Sequence, residues 1–294
     1  MEIRILRYFL TVVREENITR AAELLHITQP TLSRQLAQLE DEVGVRLFRR
    51  GAHGITLTNE GLLLRRRAEE IVDLIDKTER ELLEQDELID GTVTIGAGEL
   101  ASVHTLAELI SSASARYPLM RFELFTASAD ITKERMDRGL TDIGLLLEPI
   151  DIEKYEFIRM DVKERWAALL NADDPLARGE YVRREELMEE RVILPVRGNV
   201  QNELLNWFGP EFDRNNIIMT SSMSTNASIM VRKGLGRAVI IEGARPYLDS
   251  ASLVCRPLFP ELYATSVLAW KRGQPFSLAT GRFIEHFKKI LTKQ

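Results

Sequence analysis

From Asn59 to about Asp90 the chain reads as one unbroken helix, with neither glycine nor proline after Gly61; these two residues disfavour a helix interior most. At the rise of an α-helix such a rod extends roughly 45–50 Å, more than the ~30 Å diameter of a small domain. No single compact core can enclose it. The chain is therefore expected to divide into residues 1–58, the helix 59–90, and a remainder, 91–294. An apolar seam passes through Leu64, Ala68, Ile71, Ile75, Thr78, Leu82, Gln85 and Ile89 in steps of four and three, with Thr78 and Gln85 as polar interruptions. That is a heptad rhythm. A helix with one apolar stripe must cover it, so a homodimer is the expectation and packing on the same chain the alternative.

Ahead of this rod, Ile3–Arg14 is expected to be helical, with Ile5, Leu6, Phe9, Leu10 and Val13 on one face. Asn17 can cap a second helix, Ile18–Leu25, and Thr28 a third that opens Gln29-Pro30-Thr31 and stops before Gly44. Proline is tolerated in a first turn because those N–H groups lack intrahelical partners. Two short helices joined by His26-Ile27-Thr28 make a helix-turn-helix. Leu47–Thr58 suits a hairpin whose tip runs from Arg49 to Gly54.

From Gly91 onward strand-like and helix-like segments alternate. Strands are expected at Thr92–Ile95, Arg121–Phe125, Asp142–Leu147, Trp166–Leu170, Val192–Pro195, Ile217–Thr220, Arg237–Ile241 and Thr265–Trp270. Helices are expected at Leu106–Arg116, Ile131–Arg138, Gln201–Phe208, Thr225–Lys233 and Ser277–Leu291. The alternation implies a mostly parallel sheet flanked by helices.

The net charge of −6 hides an uneven distribution. Residues 1–67 hold 11 Lys and Arg against 8 Asp and Glu, whereas 68–90 hold 2 against 10. A mildly basic head precedes an acidic rod, so the acidic total does not exclude a nucleic-acid partner. The modest excess does argue against a nonspecific DNA binder, which depends on phosphate neutralisation. Cys255 is the sole cysteine; it excludes an internal disulfide and reads as a buried, inert thiol in a reducing compartment. No run approaches the roughly 18 apolar residues of a membrane helix, and the charged start does not suit a signal peptide. A cytoplasmic protein without a membrane partner is expected.

In helical projection Leu32, Leu36, Leu39 and Val43 share one face of the third helix, and Thr31, Arg34 and Gln38 lie opposite, near Pro30 and Ala37. Arginine can pair with guanine and glutamine with adenine, and Gln29 stands at the end a recognition helix offers to base edges. The segments Asn17-Ile18-Thr19-Arg20-Ala21-Ala22-Glu23-Leu24-Leu25, Thr28-Gln29-Pro30-Thr31-Leu32-Ser33-Arg34-Gln35-Leu36, Val43-Gly44-Val45-Arg46-Leu47-Phe48-Arg49-Arg50 and Leu57-Thr58-Asn59-Glu60-Gly61 resemble, in order and spacing, the LysR-type transcriptional regulators. Ile18 departs from the family's frequent aromatic residue and Asn17 from its frequent serine.

The resemblance implies a multi-domain chain: an all-α winged helix-turn-helix, a linker helix for dimers or dimers of dimers, and an α/β periplasmic-binding-protein-like effector domain of two subdomains, 91–162 with 266–294 and 163–265. It implies that Thr28, Gln29, Pro30, Thr31, Ser33 and Arg34 begin the recognition helix in the major groove, with Gln38 farther along its outer face. Thr19 and Arg20 would approach phosphates, and Arg49, Arg50 and His53 would form the wing. The DNA partner would be an interrupted inverted repeat. A small-molecule effector would lie between the subdomains, near Gly98, Glu99, Leu100, Ser102, Thr126, Ser128, Leu147, Glu148, Arg197, Asn199, Asn226 and Glu242, and RNA polymerase would be the downstream partner.

Enzymatic readings find less support. Gly96-Ala97-Gly98-Glu99-Leu100-Ala101 is a variant dinucleotide fingerprint after a strand. The ribose-binding carboxylate expected at the second strand's tip does not occur before Asp130. The four histidines lack metal-ligand spacing. No metal, cofactor or catalytic residue is expected. The rival is a cytosolic α/β enzyme or small-molecule-binding protein with a helical oligomerisation module.

Overall fold

A computed structural model describes residues 1–51, 54–83 and 89–291. The chain forms two compact units, Met1–Leu83 and Glu84–Gln294.

The first unit runs α1 (Ile3–Glu15), α2 (Ile18–Leu24), α3 (Gln29–Val43), the antiparallel hairpin β1 (Phe48–Gly51) and β2 (Gly54–Leu57), and α4 (Asn59–Leu83). Its core joins Leu6, Phe9 and Val12 of α1 to Leu32, Leu36 and Leu39 of α3, with Leu47 and Ala68. Val12 is the fully buried valine of α1 and Val13 packs only partly, while Val43 emerges at the end of α3. The side chain of Asn17 accepts hydrogen bonds from the N–H groups of Thr19 (2.9 Å) and Arg20 (3.1 Å) and so caps α2. Thr28 makes no such cap; its hydroxyl pairs with that of Thr31 at 2.8 Å.

Two contacts fasten the hairpin to the helices. Glu40 accepts hydrogen bonds from the N–H groups of Leu47 (2.7 Å) and Phe48 (3.1 Å) and from Arg46 (2.8 Å). Gly61 brings the first turn of α4 so close that a Cβ would stand 2.1 Å from the Leu47 carbonyl oxygen. Thr58 caps this turn, accepting from the N–H of Gly61 and donating to the Arg46 carbonyl.

The seam drawn along the long helix divides in the structure. Ala68 is buried, with Leu64 and Val72 beside it, in the core of this same unit. Ile71, Leu74 and Thr78 are exposed on the adjoining flank. Successive steps of four carry the inner stripe round toward α1, which the alternating heptad does not follow. Ile89 stands outside α4 and packs against the core of the second unit. Gln85 and His53 lie outside the described residues, as do the side chains of Arg50 and Leu82.

The second unit runs β3 (Gly91–Ala97), α5 (Val103–Arg116), β4 (Met120–Thr126), α6 (Ala129–Asp137), β5 (Ile143–Leu147), β6 (Tyr155–Arg159), β7 (Glu164–Asn171), β8 (Val182–Arg183), α7 (Arg184–Met188), β9 (Val192–Pro195), α8 (Gly198–Phe208), β10 (Ile217–Ser221), α9 (Ser224–Arg232), β11 (Arg237–Ile241), β12 (Leu253–Phe259), β13 (Tyr263–Ala264), β14 (Ser266–Lys271) and α10 (Leu278–Leu291). One sheet has the order β4-β3-β5-β14-β6 and the other β10-β9-β11-β7-β12-β8, with β13 on β7. The chain thus passes from the first sheet to the second between β6 and β7 and returns between β13 and β14.

The expectation of a mostly parallel sheet is corrected. Strands β4, β3 and β5 are parallel, as are β10, β9 and β11, but β14 and β7 join them antiparallel. Each sheet is a parallel three-strand core completed by a strand arriving from the other half. Pro257 lies inside β12, where it faces Ala167 just before pairing shifts to β8; a proline in mid-strand obscures such an element in the sequence. Helices α5 and α10 cover one face of the first sheet, through Leu106, Leu109, Phe283 and Phe287, and α6 the other through Ala129 and Met136. Cys255 packs in the cluster beneath α9, and burial pushes its thiol up to about 11. Among the described residues no helix is long and apolar enough to cross a membrane.

Burial opposes the charge of Glu40, but the N–H groups of Leu47 and Phe48 and the Arg46 guanidinium outweigh it and hold its carboxyl below the ordinary 4.5. A lowered folded value contributes stability that is complete above the ordinary value and lost as pH falls through the lowered one. In Glu40→Gln the amides of Leu47 and Phe48 should exchange hydrogen roughly tenfold faster than in the wild type at pH 7. The ratio should approach one below the carboxyl's titration. A ratio that stays constant with pH would assign the effect to shape instead of charge.

Candidate DNA-reading surface and ligand cleft

The outer face of α3 follows from its inner one. With Leu32, Leu36 and Leu39 buried, a helix of 3.6 residues per turn turns Arg34, Ala37 and Gln38 outward, and all three are exposed. Thr28, Gln29 and Pro30 are exposed at its start, and Thr31 and Ser33 are half-buried. The Gln29 amide donates to the Ser33 hydroxyl at 2.8 Å. Thr19 and Arg20 are exposed on α2, where Arg20 pairs with Glu15 at 3.0 Å. Arg49 is exposed on β1. Among the described residues Arg34 and Arg49 have no carboxylate partner, whereas Arg20, Arg46, Arg65 and Arg67 do. Exposed arginines without a carboxylate partner leave donors available to phosphate or base edges.

In the second unit, residues of both sheets line a cleft of about 730 Å³ including its open mouth. It lies at the carboxyl ends of the parallel strands, where open α/β sheets place their ligands. Gly98, Glu99 and Leu100 follow β3, Ser128 precedes α6, Leu147 ends β5, and Arg197 precedes α8. Walls come also from Trp166, Ile193, Leu194, Val239 and Ile241, and Ser221, Ser222, Met223 and Ser224 border the start of α9. Of these latter residues the sequence points to Ser224 alone, in the segment Ser224–Asn226. Trp166 is 1% exposed, and its indole Nε1 has no hydrogen-bond partner.

Two polar links cross the cleft. Arg197 is 8% exposed and reaches the first half, donating from Nη1 to the Leu147 carbonyl (3.0 Å), from Nη2 to that of Pro149 (2.9 Å) and from Nε to Asp130 (3.2 Å). In the other direction Glu99 accepts from the backbone N–H of Ser224 at 2.8 Å.

Six residues assigned to the ligand do not line this cleft. Ser102 is buried and donates to Glu164 at 2.7 Å. Glu242 pairs with Arg165 at 2.7 Å. Glu148 pairs with Arg159 and accepts from Thr265; the Arg159 hydrogen bond first, then that of Thr265, overcomes burial and lowers its carboxyl. Thr126, Asn199 and Asn226 are exposed beside lining residues without lining the cleft themselves.

The first three belong to the joint between the sheets. Glu164 is wholly buried and accepts from the N–H groups of Ala101 (2.8 Å) and Ser102 (3.0 Å) and from the hydroxyls of Ser102 and Ser266. Beside it, Gly243 lets the turn after β11 approach so closely that a Cβ would lie 2.0 Å from the Ala101 nitrogen.

A helix-turn-helix with an open cationic face in one unit, and a two-sheet cleft in the other, define a DNA-binding regulator with a ligand-binding domain. The model of the "Bacterial regulatory helix-turn-helix protein, lysR family" matches residues 3–62, and that of the "LysR substrate binding domain" matches residues 86–291. The chain belongs to the LysR family of transcriptional regulators. It is 29% identical over 280 residues to the Hca operon transcriptional activator HcaR of Escherichia coli (strain K12), covering 93% of each chain. It is 31% identical over 248 residues to the HTH-type transcriptional regulator BsdA of Bacillus subtilis (strain 168), covering 82% of this chain and 83% of that one. The fold is that of full-length CbnR crystallised with its target DNA, with TM-score 0.74 and 20% identity over 98% of this chain and 99% of that one.

Arg34→Ala should weaken binding to the selected operator by roughly 1–3 kcal/mol and relax its sequence preference. Arg49→Ala should weaken binding on all sequences alike and flatten the dependence of affinity on salt. Binding titrations at several salt concentrations separate the two; unchanged operator affinity in Arg34→Ala would contradict its assignment.

Proposed function

We propose that this regulator binds an interrupted inverted repeat as a homodimer, or as a dimer of dimers, and that a small molecule in the cleft of its second unit sets its activity. The observation that carries this reading is the cleft itself, lined by both sheets and crossed by Arg197 and Glu99. A ligand held there interacts with both halves at once, so it favours one spacing of the sheets over another. Unequal affinity for the two arrangements is what a regulatory ligand requires. The change would pass to the geometry of the assembly on DNA and to its contact with RNA polymerase, in the cytoplasm.

The ligand-facing groups in this reading are Gly98, Glu99, Leu100, Ser128, Leu147 and Arg197. The DNA-facing groups are Thr19, Arg20, Thr28 to Thr31, Ser33, Arg34, Gln38, Arg49, Arg50 and His53. Dimerisation would use the exposed flank of α4 at Ile71, Leu74 and Thr78, where Leu74 is 41% exposed. An apolar flank of this kind beside a packed one is the pattern of a helix awaiting a partner.

Selection of genomic fragments by the purified protein and by Arg34→Ala, with sedimentation of the same samples and of Leu74→Glu, tests the reading. The wild type should sediment as a dimer or larger and recover a few fragments that share an interrupted inverted repeat. Arg34→Ala should lose that selectivity, and Leu74→Glu should shift toward monomer. A wild-type monomer at micromolar concentration would count against the dimer, and equal selectivity in both proteins against the recognition helix.

A further inference from the structure

We propose that Glu99 decides which ligands this cleft accepts: its carboxylate occupies the start of α9 and turns the site toward neutral or cationic, largely apolar molecules and away from acids. This inference rests on the reading of the cleft as the ligand site.

The charged side chains lining the cleft are Glu99 and Arg197. Arg197 is already committed to Asp130 and to the carbonyls of Leu147 and Pro149, so it offers little uncompensated positive charge. Three helix starts border the cleft, where free N–H groups and the helix dipole favour negative charge: that of α6, whose first turn already carries Asp130, that of α8, beside Arg197, and that of α9, which Ser224 opens. The start of α9 is filled by the protein itself, because Glu99 accepts from the Ser224 N–H at 2.8 Å. A ligand carboxylate would have to displace Glu99 or lie beside it, and two like charges in a partly enclosed site disfavour each other.

A second observation points to what the ligand does carry. Trp166 lines the cleft at 1% exposure, and its Nε1–H has no partner. An indole N–H can only donate, and buried donors are almost always satisfied. The Nε1 atom is itself shielded from solvent, so an acceptor on the ligand, a carbonyl, ether or ring nitrogen, reaches it only if the wall beside it gives way. The surrounding wall is apolar, formed by Leu100, Leu145, Ile193, Val200, Val239 and Ile241. Together these groups describe a molecule with a ring-sized apolar body and a hydrogen-bond acceptor toward Trp166. Toward Glu99 it presents an N–H or ammonium donor.

Calorimetric titration of the full-length protein with phenylalaninamide, N-acetylphenylalaninamide and N-acetylphenylalanine tests this. The three share a ring and a carbonyl acceptor but carry positive, zero and negative charge. The wild type should bind the first two and bind the acid at least roughly tenfold more weakly. Glu99→Ala, which frees the start of α9, should reverse that order, and Glu99→Gln serves if the alanine variant does not fold. Trp166→Phe should weaken all three alike. An acid that binds the wild type as tightly as the amine, the same ranking in both proteins, or no binding of any probe to either protein overturns the proposal. Ser222→Trp, at an exposed lining position, obstructs the cleft. Probe binding that survives it unchanged lies elsewhere, and then the cleft reading itself fails, independently of which probe binds best.

Discussion

The second unit depends on one buried carboxylate. Glu164 opens β7 immediately after the chain enters the second sheet, and Ser266 opens β14 immediately after it returns. Both meet at the first turn of α5, where Glu164 accepts from Ala101, Ser102 and Ser266. A carboxylate without solvent is costly unless its oxygens are satisfied; here backbone N–H groups at a helix start and two hydroxyls satisfy it without a cation. Such an arrangement ties three points distant in sequence into one place. It fixes where the two sheets diverge, and hence where a cleft between them can open.

The polar links around the cleft differ widely in exposure. Glu164 is wholly buried, Arg197 nearly so, and the Arg165–Glu242 and Glu148–Arg159 pairs are progressively wetter. Surface pairs contribute little because water and salt screen them. Buried ones are strict in geometry because an unpaired charge there is penalised heavily. Glu164 is therefore the strictest of these links, and beside it Gly243 brings the backbone of one half against that of the other without a side chain between.

Much of the first unit is legible in the sequence because its order is local. The apolar spacing of Leu32, Leu36 and Leu39 gives the buried face of α3 and, by subtraction, its outer face with Arg34. Asn17 announces the start of α2. The long helix was less legible: Ala68 fits a heptad equally well whether the partner is a second chain or α1, and only packing distinguishes the two. In the α/β unit the strand ends and their loops were readable, so Gly98, Glu99, Leu100, Ser128, Leu147 and Arg197 fall on the cleft. Ser102, Glu148 and Glu242 did not, because their partners Glu164, Arg159 with Thr265, and Arg165 lie far away along the chain or across the joint, where periodicity carries no information. Trp166 escaped notice for a related reason. In mid-strand it looks like any core aromatic until its N–H is found without an acceptor.

The two passages between the sheets, β6 to β7 and β13 to β14, run side by side and both end at Glu164 and Ser266. A pair of adjacent straps does more than join two bodies; it removes most of the ways in which they could move. Sliding and twisting would strain one strap against the other, whereas bending about the line through both strains neither. Of the motions open to the halves, a flexing about that axis is the one the straps oppose least. A molecule held between the halves would therefore work against the polar links across the cleft, those of Arg197 and Glu99, more than against the straps.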